Sequence, residues 1–414
     1  MRKLFLFLIL SLSAFALFGT NYAGKGMMYS DSYMLRAKGS EANYWNPALI
    51  SENYGDLWLP ALNSGFYAAN NSLDLDIYNH IMKKKYLDDS DKQKLLNMID
   101  ENLNITVGGQ SSILGLTFGN VALTSSIHYY AKAAVSEKYL ELLLYGNAEE
   151  HYEFGKKHNN LAALSYVDFT LGYGDITLPL PESVPTIKAG IGASLLVGIQ
   201  DIHTSHYHGS FSSTIDGLSL HQDITLKTGG GGAGFKAMLG LVSEPLPNLF
   251  AGITLDNIFG FINWGLVREN LNYSLSADSV YVANLDDDIF EWEKTREKAD
   301  AFSTSFPLEL RLATLYRTRQ AVLSTDFVQG FGSSIMTSKI GRISFGAELL
   351  PIPMMPIHLG VGLGNSEYPW RVSYGIGLKI RPVEFGIGMQ SFESILPGVK
   401  TKGVAFASYF RFSL

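Results

Sequence analysis

Along much of this chain apolar side chains occupy every second position. Between Arg371 and Arg381, Val372, Tyr374, Ile376, Leu378 and Ile380 share one face; Arg371, Ser373, Gly375, Gly377, Lys379 and Arg381 share the other. Past Arg381-Pro382, Val383, Phe385, Ile387 and Met389 alternate with Glu384, Gly386, Gly388 and Gln390. Pro382 cannot donate to a ladder, so it suits a turn or a strand start. The stretch 187–200 repeats the pattern: Ile187, Ala189, Ile191, Ala193, Leu195, Val197 and Ile199 stand opposite Lys188, Gly190, Gly192, Ser194, Gly198 and Gln200. Segments 161–173, 249–255, 308–316, 343–349 and 357–363 behave alike. Successive strand side chains point to opposite faces, so this period reads as strand. About 14 such segments, each roughly the 9–11 residues that cross a bilayer at a tilt, predict an all-β fold: a transmembrane antiparallel β-barrel of about 14 strands. A soluble sandwich uses shorter strands, commonly about 5–6 residues, with a polar outer face. Here the face opposite the apolar one is rich in Gly, Ser and Lys, which suits a lumen packed around an internal plug.

Two stretches break the alternation and predict short helical insertions near 74–101 and 137–146. In the first, Ser90 and Gln93 have capping-box spacing ahead of Leu95, Leu96, Met98 and Ile99. In the second, Leu140, Leu142, Leu143 and Leu144 precede Gly146, placed as a helix stop. Irregular insertions cannot face hydrocarbon, so they belong inside the barrel, at its rim or beyond the membrane. They read either as solvated loop helices or as an apolar lid above the lumen.

Composition agrees. Charged residues make up 17% of the chain, below the ~25% of ordinary soluble proteins, and Gly and Tyr are abundant. Arg2 and Lys3 precede an uncharged apolar run from Leu4 to Phe18 and then small residues, the layout of a secretory signal peptide over 1–19. The expected organisation is this signal, a segment 20–55, and a barrel over 56–414. There is no cysteine, which excludes disulfides, thiol chemistry and a lipobox. A net charge of -7 without a basic stripe argues against nucleic acid as a partner. Trp58, Trp264, Trp292 and Trp370 are candidates for the aromatic girdles, with Trp292 better placed in a loop.

The last segment resembles the C-terminal strand read by bacterial barrel-assembly machinery. Val404, Phe406, Phe410, Phe412 and Leu414 alternate with Ala405, Ala407, Tyr409, Arg411 and Ser413. The usual final residue is Phe; here it is Leu414. The run from Ala37 to Leu49, with its Asn46-Pro47-Ala48, resembles the signature of the FadL superfamily of outer-membrane barrels, which includes long-chain fatty acid transporters and PorV-type secretion barrels. Leu144-Tyr145-Gly146-Asn147 looks more like an uncharacterised Bacteroidetes-type branch.

The resemblance implies a bacterial outer-membrane location and an N-terminal segment folded into the lumen as a hatch, with Asn46, Pro47 and Ala48 inside it. It also implies passive uptake or lateral delivery of a hydrophobic small molecule. The expected partners are that ligand, outer-membrane lipid, and the assembly machinery during biogenesis. Transporters of this kind release cargo sideways at a kink in one strand, and Gly229, Gly230, Gly231 and Gly232 are the candidate kink; from the residues alone the run suits a flexible hairpin start equally well. The alternative is a PorV-like secretion shuttle or scaffold: a continuous apolar tunnel with a wall gap favours transport, a filled lumen with ordered exposed loops favours the shuttle.

No cofactor or metal site is expected. His203, His206, His208 and His221 cluster in sequence, but their neighbours suit an exposed loop or strand. Asp286, Asp287 and Asp288 with Glu291 and Glu293 lack calcium-loop spacing. The glycine run lacks the Lys-Ser/Thr of a phosphate loop. For an outer-membrane enzyme, the third class, His128 and Asp168 are the best nominees, and nothing in the sequence brings them together.

Overall fold

The structure, a computed structural model, describes residues 24–51, 55–146, 151–181, 183–215, 217–280, 291–364 and 369–413. The signal segment 1–19, residues 20–23, Asn147, the acidic run 286–288 and Leu414 lie outside the described residues. The described chain is an antiparallel ring of fourteen strands. β1 comprises Asp56–Trp58 and Ser64–Asn70, β2 is Asn102–Phe118, β3 Val121–Ser136, and β4 comprises His151–Gly155 and Asn160–Thr177. β5 is Ile187–Thr214, β6 Gly217–Leu246 and β7 Leu249–Val280. β8 runs in three pieces, Glu291–Lys298, Phe302–Phe306 and Glu309–Arg317. β9 (Ala321–Gly330), β10 (Arg342–Ile352), β11 (Met355–Leu363), β12 (Trp370–Ile380), β13 (Val383–Phe392) and β14 (Gly403–Ser413) complete it. Each strand pairs with its neighbour in sequence, and β14 returns to β1 through Phe406↔Phe66 and Leu57↔Phe412. Closure removes the unpaired edges that hydrocarbon forbids.

One parity of each wall strand faces out. Phe66, Leu123, Leu171, Leu195, Ile253, Leu323, Ile376, Ile387 and Phe406 are all exposed, forming the apolar exterior of a membrane barrel. The other parity faces in and is buried and polar: Thr124, Asp168, Ser194, Asp326, His358, Arg371, Glu384 and Arg411. Connections at the end bearing β14's terminus are mostly two or three residues long, whereas those at the other end carry the insertions. Short periplasmic turns and longer external loops are the rule for such barrels, which orients this one.

Three features depart from the sequence expectations. β5, β6 and β7 run 28, 30 and 32 residues, on the order of 100 Å of contour against an apolar band of about 25 Å. A sheet therefore projects outward, where neither face needs to be apolar and the alternation fades. Trp58 and Trp264 are no girdle residues: both point inward and are 5% and 1% exposed. Trp292 stands on the projecting sheet, and Trp370 lies on the exterior at the outer rim. Finally, the capping box of the first insertion is Asp88 with Asp91, not Ser90 with Gln93.

The insertions form α1 (Leu75–Lys83), α2 (Asp89–Leu96) and α3 (Glu137–Tyr145). Asp74 and Ser136 cap α1 and α3 by accepting from Ile77 N and Tyr139 N. Leu96, Ile99 and Leu140 pack with Leu103, Ile105 and Val135. The last three share the outward parity of β2 and β3, opposite Thr106 and Gln110. The helices thus flank the outside of the rim and their apolar side does not roof the lumen.

Lys84, and then His80, hydrogen-bond Asp91 and hold its carboxyl down at about 2. A depressed carboxylate contributes stability that is present above its unfolded pKa and lost as pH falls through the folded one. The α1–α2 pairing is therefore expected to persist at pH 4 and to weaken between about pH 4 and 2. Amide exchange in α2 checks this: protection already lost at pH 5 would refute the pairing.

Candidate functional site

Residues 24–50 occupy the lumen as a chain of tight turns. The segment comprises 3-10 turns at Gly26–Tyr29, Met34–Arg36, Gly39–Glu41 and Pro47–Leu49 and one α-turn at Ala42–Trp45. No ladder satisfies such backbone, so side chains do. Asn46 is extended (φ -160°, ψ 104°); its Oδ1 accepts from Ala48 N (3.0 Å) and its Nδ2 donates to the Leu241 carbonyl (3.0 Å). Pro47, with its fixed φ, starts the following turn. Asp326 accepts from Met34 N (3.0 Å) and Asp56 from Ser40 N (3.0 Å).

The wall leaves room for this turn by omitting side chains. A Cβ on Gly240 would stand 2.0 Å from Asn46 Oδ1, one on Gly190 2.3 Å from the Pro47 carbonyl carbon, and one on Gly174 2.0 Å from the Pro47 carbonyl oxygen. Three adjacent strands, β4, β5 and β6, thus present bare backbone to the Asn-Pro-Ala turn.

Ion pairs fix the rest. Lys25 meets Glu384 (2.6 Å), which also meets Arg411 (2.5 Å), and Arg411 reaches Glu41 (3.1 Å), to which Tyr33 donates (2.6 Å). Arg36 pairs with Glu348 (3.4 Å) and Asp31 with Arg371 (2.9 Å). The cavity left beside Tyr44, Trp45, Trp58 and Gln110 measures about 20 Å³, room for one water.

On the outer side of this segment lies a thin polar layer. The structure brings together the two residues that sequence could not: His128 Nε2 lies 3.4 Å from Asp168 Oδ2, and His128 stacks on Tyr166 at 4.6 Å. Asp168 also accepts from Tyr44 OH (3.2 Å) and Ser126 N (2.7 Å). Neither ring nitrogen of His128 has a hydrogen-bond partner within bonding geometry among the described residues.

Beyond the polar layer the lumen turns apolar. Tyr130, Leu164, Tyr166, Leu196, Ile262, Trp264 and Phe306 form one buried cluster, packed against Phe302, Ile335 and Met336. Ile335 and Met336 belong to the external loop 331–341, so this loop, rather than the helices, reaches over the lumen; Tyr166 OH approaches Met336 Sδ at 3.8 Å. Trp264 Nε1 donates to Thr304 Oγ1 (2.8 Å), which donates to Asp201 Oδ2 (2.6 Å). The glycine run frames Trp264: a Cβ on Gly229 or Gly232 would lie 2.8 or 2.9 Å from the indole. Register slips between Gly230 and Gly232, where Gly231 has φ +64°.

A second irregularity, unread in the sequence, lies beside it. β6 and β7 slip twice more between Phe235 and Leu239, and Asn257 and Phe259 take positive φ (59° and 53°). Across from them β8 breaks at Pro307-Leu308. Asn257 beside a strand glycine at 260, facing a proline, was the available signal. Of the remaining candidates, Phe406, Phe410 and Phe412 lie on the outward parity of β14. His203 bonds Asp201, the acceptor of Thr304, and His221 bonds Asp223 on the projecting sheet, each at 2.6 Å. No group of three or more metal-type ligands gathers among the described residues.

The ring superimposes on two solved structures. One is a Pseudomonas aeruginosa FadL homologue (10% identity, TM-score 0.54, covering 96% of this chain and 99% of that one). The other is the Ralstonia pickettii toluene transporter TbuX (11% identity, TM-score 0.52, 96% and 98%). The fold is that of a FadL-like outer-membrane β-barrel. Residues 47–266, more than half of the chain, match the family of unknown function DUF5723, and the chain belongs to that family. No curated protein matches the sequence; the lumen is filled, the arrangement expected of a secretion shuttle, yet the similarities lend that alternative no support.

Proposed function

We propose that this barrel is a passive conduit for hydrophobic small molecules across the outer membrane, and not an enzyme. The observation that carries the reading is the cluster of aromatic and aliphatic side chains packed in the outer part of the lumen, covered by Met336 and bordered by three irregular strands, which an entering ligand would open into a chamber. A hydrophobic ligand needs an apolar pocket with few polar groups and no catalyst. The side chains that would line that chamber are Tyr130, Tyr166, Leu196, Ile262, Trp264 and Phe306, which pack against one another in this structure. The fold it shares with the toluene transporter TbuX supports the same reading.

In this scheme residues 24–50 serve as the hatch, with Asn46, Pro47 and Ala48 as its fixed point. Cargo enters beneath the 331–341 loop, displaces Met336 and Ile335, and leaves sideways where β6, β7 and β8 are irregular, the glycines 229–232 supplying compliance. Phe406, Phe410, Phe412 and Leu414 serve assembly, with outer-membrane lipid as the surrounding partner. Purified barrel is expected to bind a small apolar fluorophore, and Leu196→Glu to weaken that binding by about tenfold or more, because an unpaired carboxylate in the chamber costs over ~1.4 kcal/mol. Circular dichroism confirms that the variant folds; unchanged affinity in a folded variant would remove the chamber as the ligand site.

A further inference from the structure

The external loop between β13 and β14 does not stand away from the barrel but lies against its outer wall. Tyr374, on the outward parity of β12, donates its hydroxyl to the Ile395 carbonyl. Ser391, outward on β13, is fully buried beneath the loop and shares a hydrogen bond with Thr401 (2.9 Å). Yet this packed loop presents large apolar side chains outward: Ile395 is 68% exposed, Leu396 66% and Val399 56%. The start of α1 is stitched to it, Leu75 N donating to the Thr401 carbonyl (3.2 Å) and Asp76 N to that of Val399 (2.7 Å). Leu75 and Tyr78 extend the exposed apolar surface.

A rim segment in water would not turn three aliphatic residues outward while burying a serine. The patch is continuous with the lipid-facing wall through Tyr374, with Ile376 next on that face; Lys400, which also reaches Asp74 (3.6 Å) and Asp76 (3.5 Å), stands beside it, and Lys83 and Lys85 lie at the far end of α1. An apolar face flanked by lysines is the make-up of a segment lying at the headgroup–acyl boundary. We infer that loop 393–401 and α1 form a collar immersed in the outer-leaflet interface, its aliphatic side chains among acyl chains and its lysines at lipid phosphates. This rests on the barrel and its exterior, independently of the cargo.

The absence of native cysteine makes a clean test available. Spin labels are attached to Ile395→Cys and Leu396→Cys in the full chain, reconstituted in phosphatidylethanolamine–phosphatidylglycerol vesicles. The references are Ile376→Cys on the lipid-facing wall and Ile215→Cys at the 97%-exposed tip of the projecting sheet. Collision with oxygen relative to a water-soluble nickel chelate is expected to resemble position 376 and to exceed that at 215 several-fold. A ratio like that of 215 places the loop in water and overturns the collar. Shielding from both reagents means that protein, not lipid, covers the patch, and overturns it equally.

Discussion

Replacing Gly190 by alanine is expected to unseat the Asn-Pro-Ala turn and make the barrel leak small solutes. A methyl group there would sit 2.3 Å from the Pro47 carbonyl carbon and 2.4 Å from Ala48 N. Both are backbone atoms, so no side-chain rotation relieves the clash. Overpacking of this kind typically costs about 1–3 kcal/mol, and lifting the turn also breaks the two Asn46 hydrogen bonds, each worth about 1 kcal/mol. Gly192, two residues along on the same face, is the control. Its added Cβ would come no closer than 3.7 Å to anything, so Gly192→Ala is expected to be neutral or slightly stabilising. Liposome swelling in arabinose separates the two. If Gly190→Ala swells no faster than Gly192→Ala and the wild type, the turn does not seal the lumen.

The second large effect is expected at Glu384. Its carboxylate joins Lys25 from the inserted segment to Arg411 from the wall, and the side chains of these two cations are each 7% exposed. Glu384→Ala leaves Lys25 buried without its partner, whereas Arg411 keeps Glu41. Removing one partner of a buried pair typically costs about 3–5 kcal/mol. That loss is expected as a lowered melting transition and faster trypsin cleavage at Lys25, Arg36 and Lys38. The exposed pair Arg296–Glu269 (3.5 Å) offers the contrast, since surface bridges contribute about 0–1 kcal/mol. A trypsin pattern for Glu384→Ala matching that of Arg296→Ala would show that the network does not anchor the segment.

These residues show what a sequence can and cannot disclose about such a barrel. The alternation from Val372 to Ile380 and from Val383 to Met389 is imposed by hydrocarbon on one side, so strand existence and the ring of about fourteen were legible. Where hydrocarbon stops, the signal weakens: the neighbours of His203, His206 and His208 suit an exposed loop and a long external strand alike, and do not decide that β5 continues outward. Alternation also fails for residues whose inward neighbours happen to be apolar. Leu196 and Trp264 belong to the chamber, but in sequence they read as a break in the pattern and a girdle residue.

His128 and Asp168 were invisible as a pair because their meeting depends on the register of β3 against β4, Ser126 lying opposite Asp168. That register is set by long-range pairing, not by either segment alone. The capping box moved from Ser90 to Asp88 because Asp91 is also held by His80 and Lys84, contacts that spacing alone cannot reveal. The Asn-Pro-Ala turn could be located in sequence, but its three-glycine socket is assembled from β4, β5 and β6.

The central claim, passage of hydrophobic molecules through the chamber, is tested most directly by transfer into vesicles. Barrel is reconstituted in liposomes, a fluorescent fatty acid is added outside, and its arrival in the bilayer is followed by energy transfer to a lipid dye. Transfer faster than into protein-free liposomes, and slowed by Leu196→Glu, is the expected result. Transfer no faster than into protein-free liposomes would contradict the account.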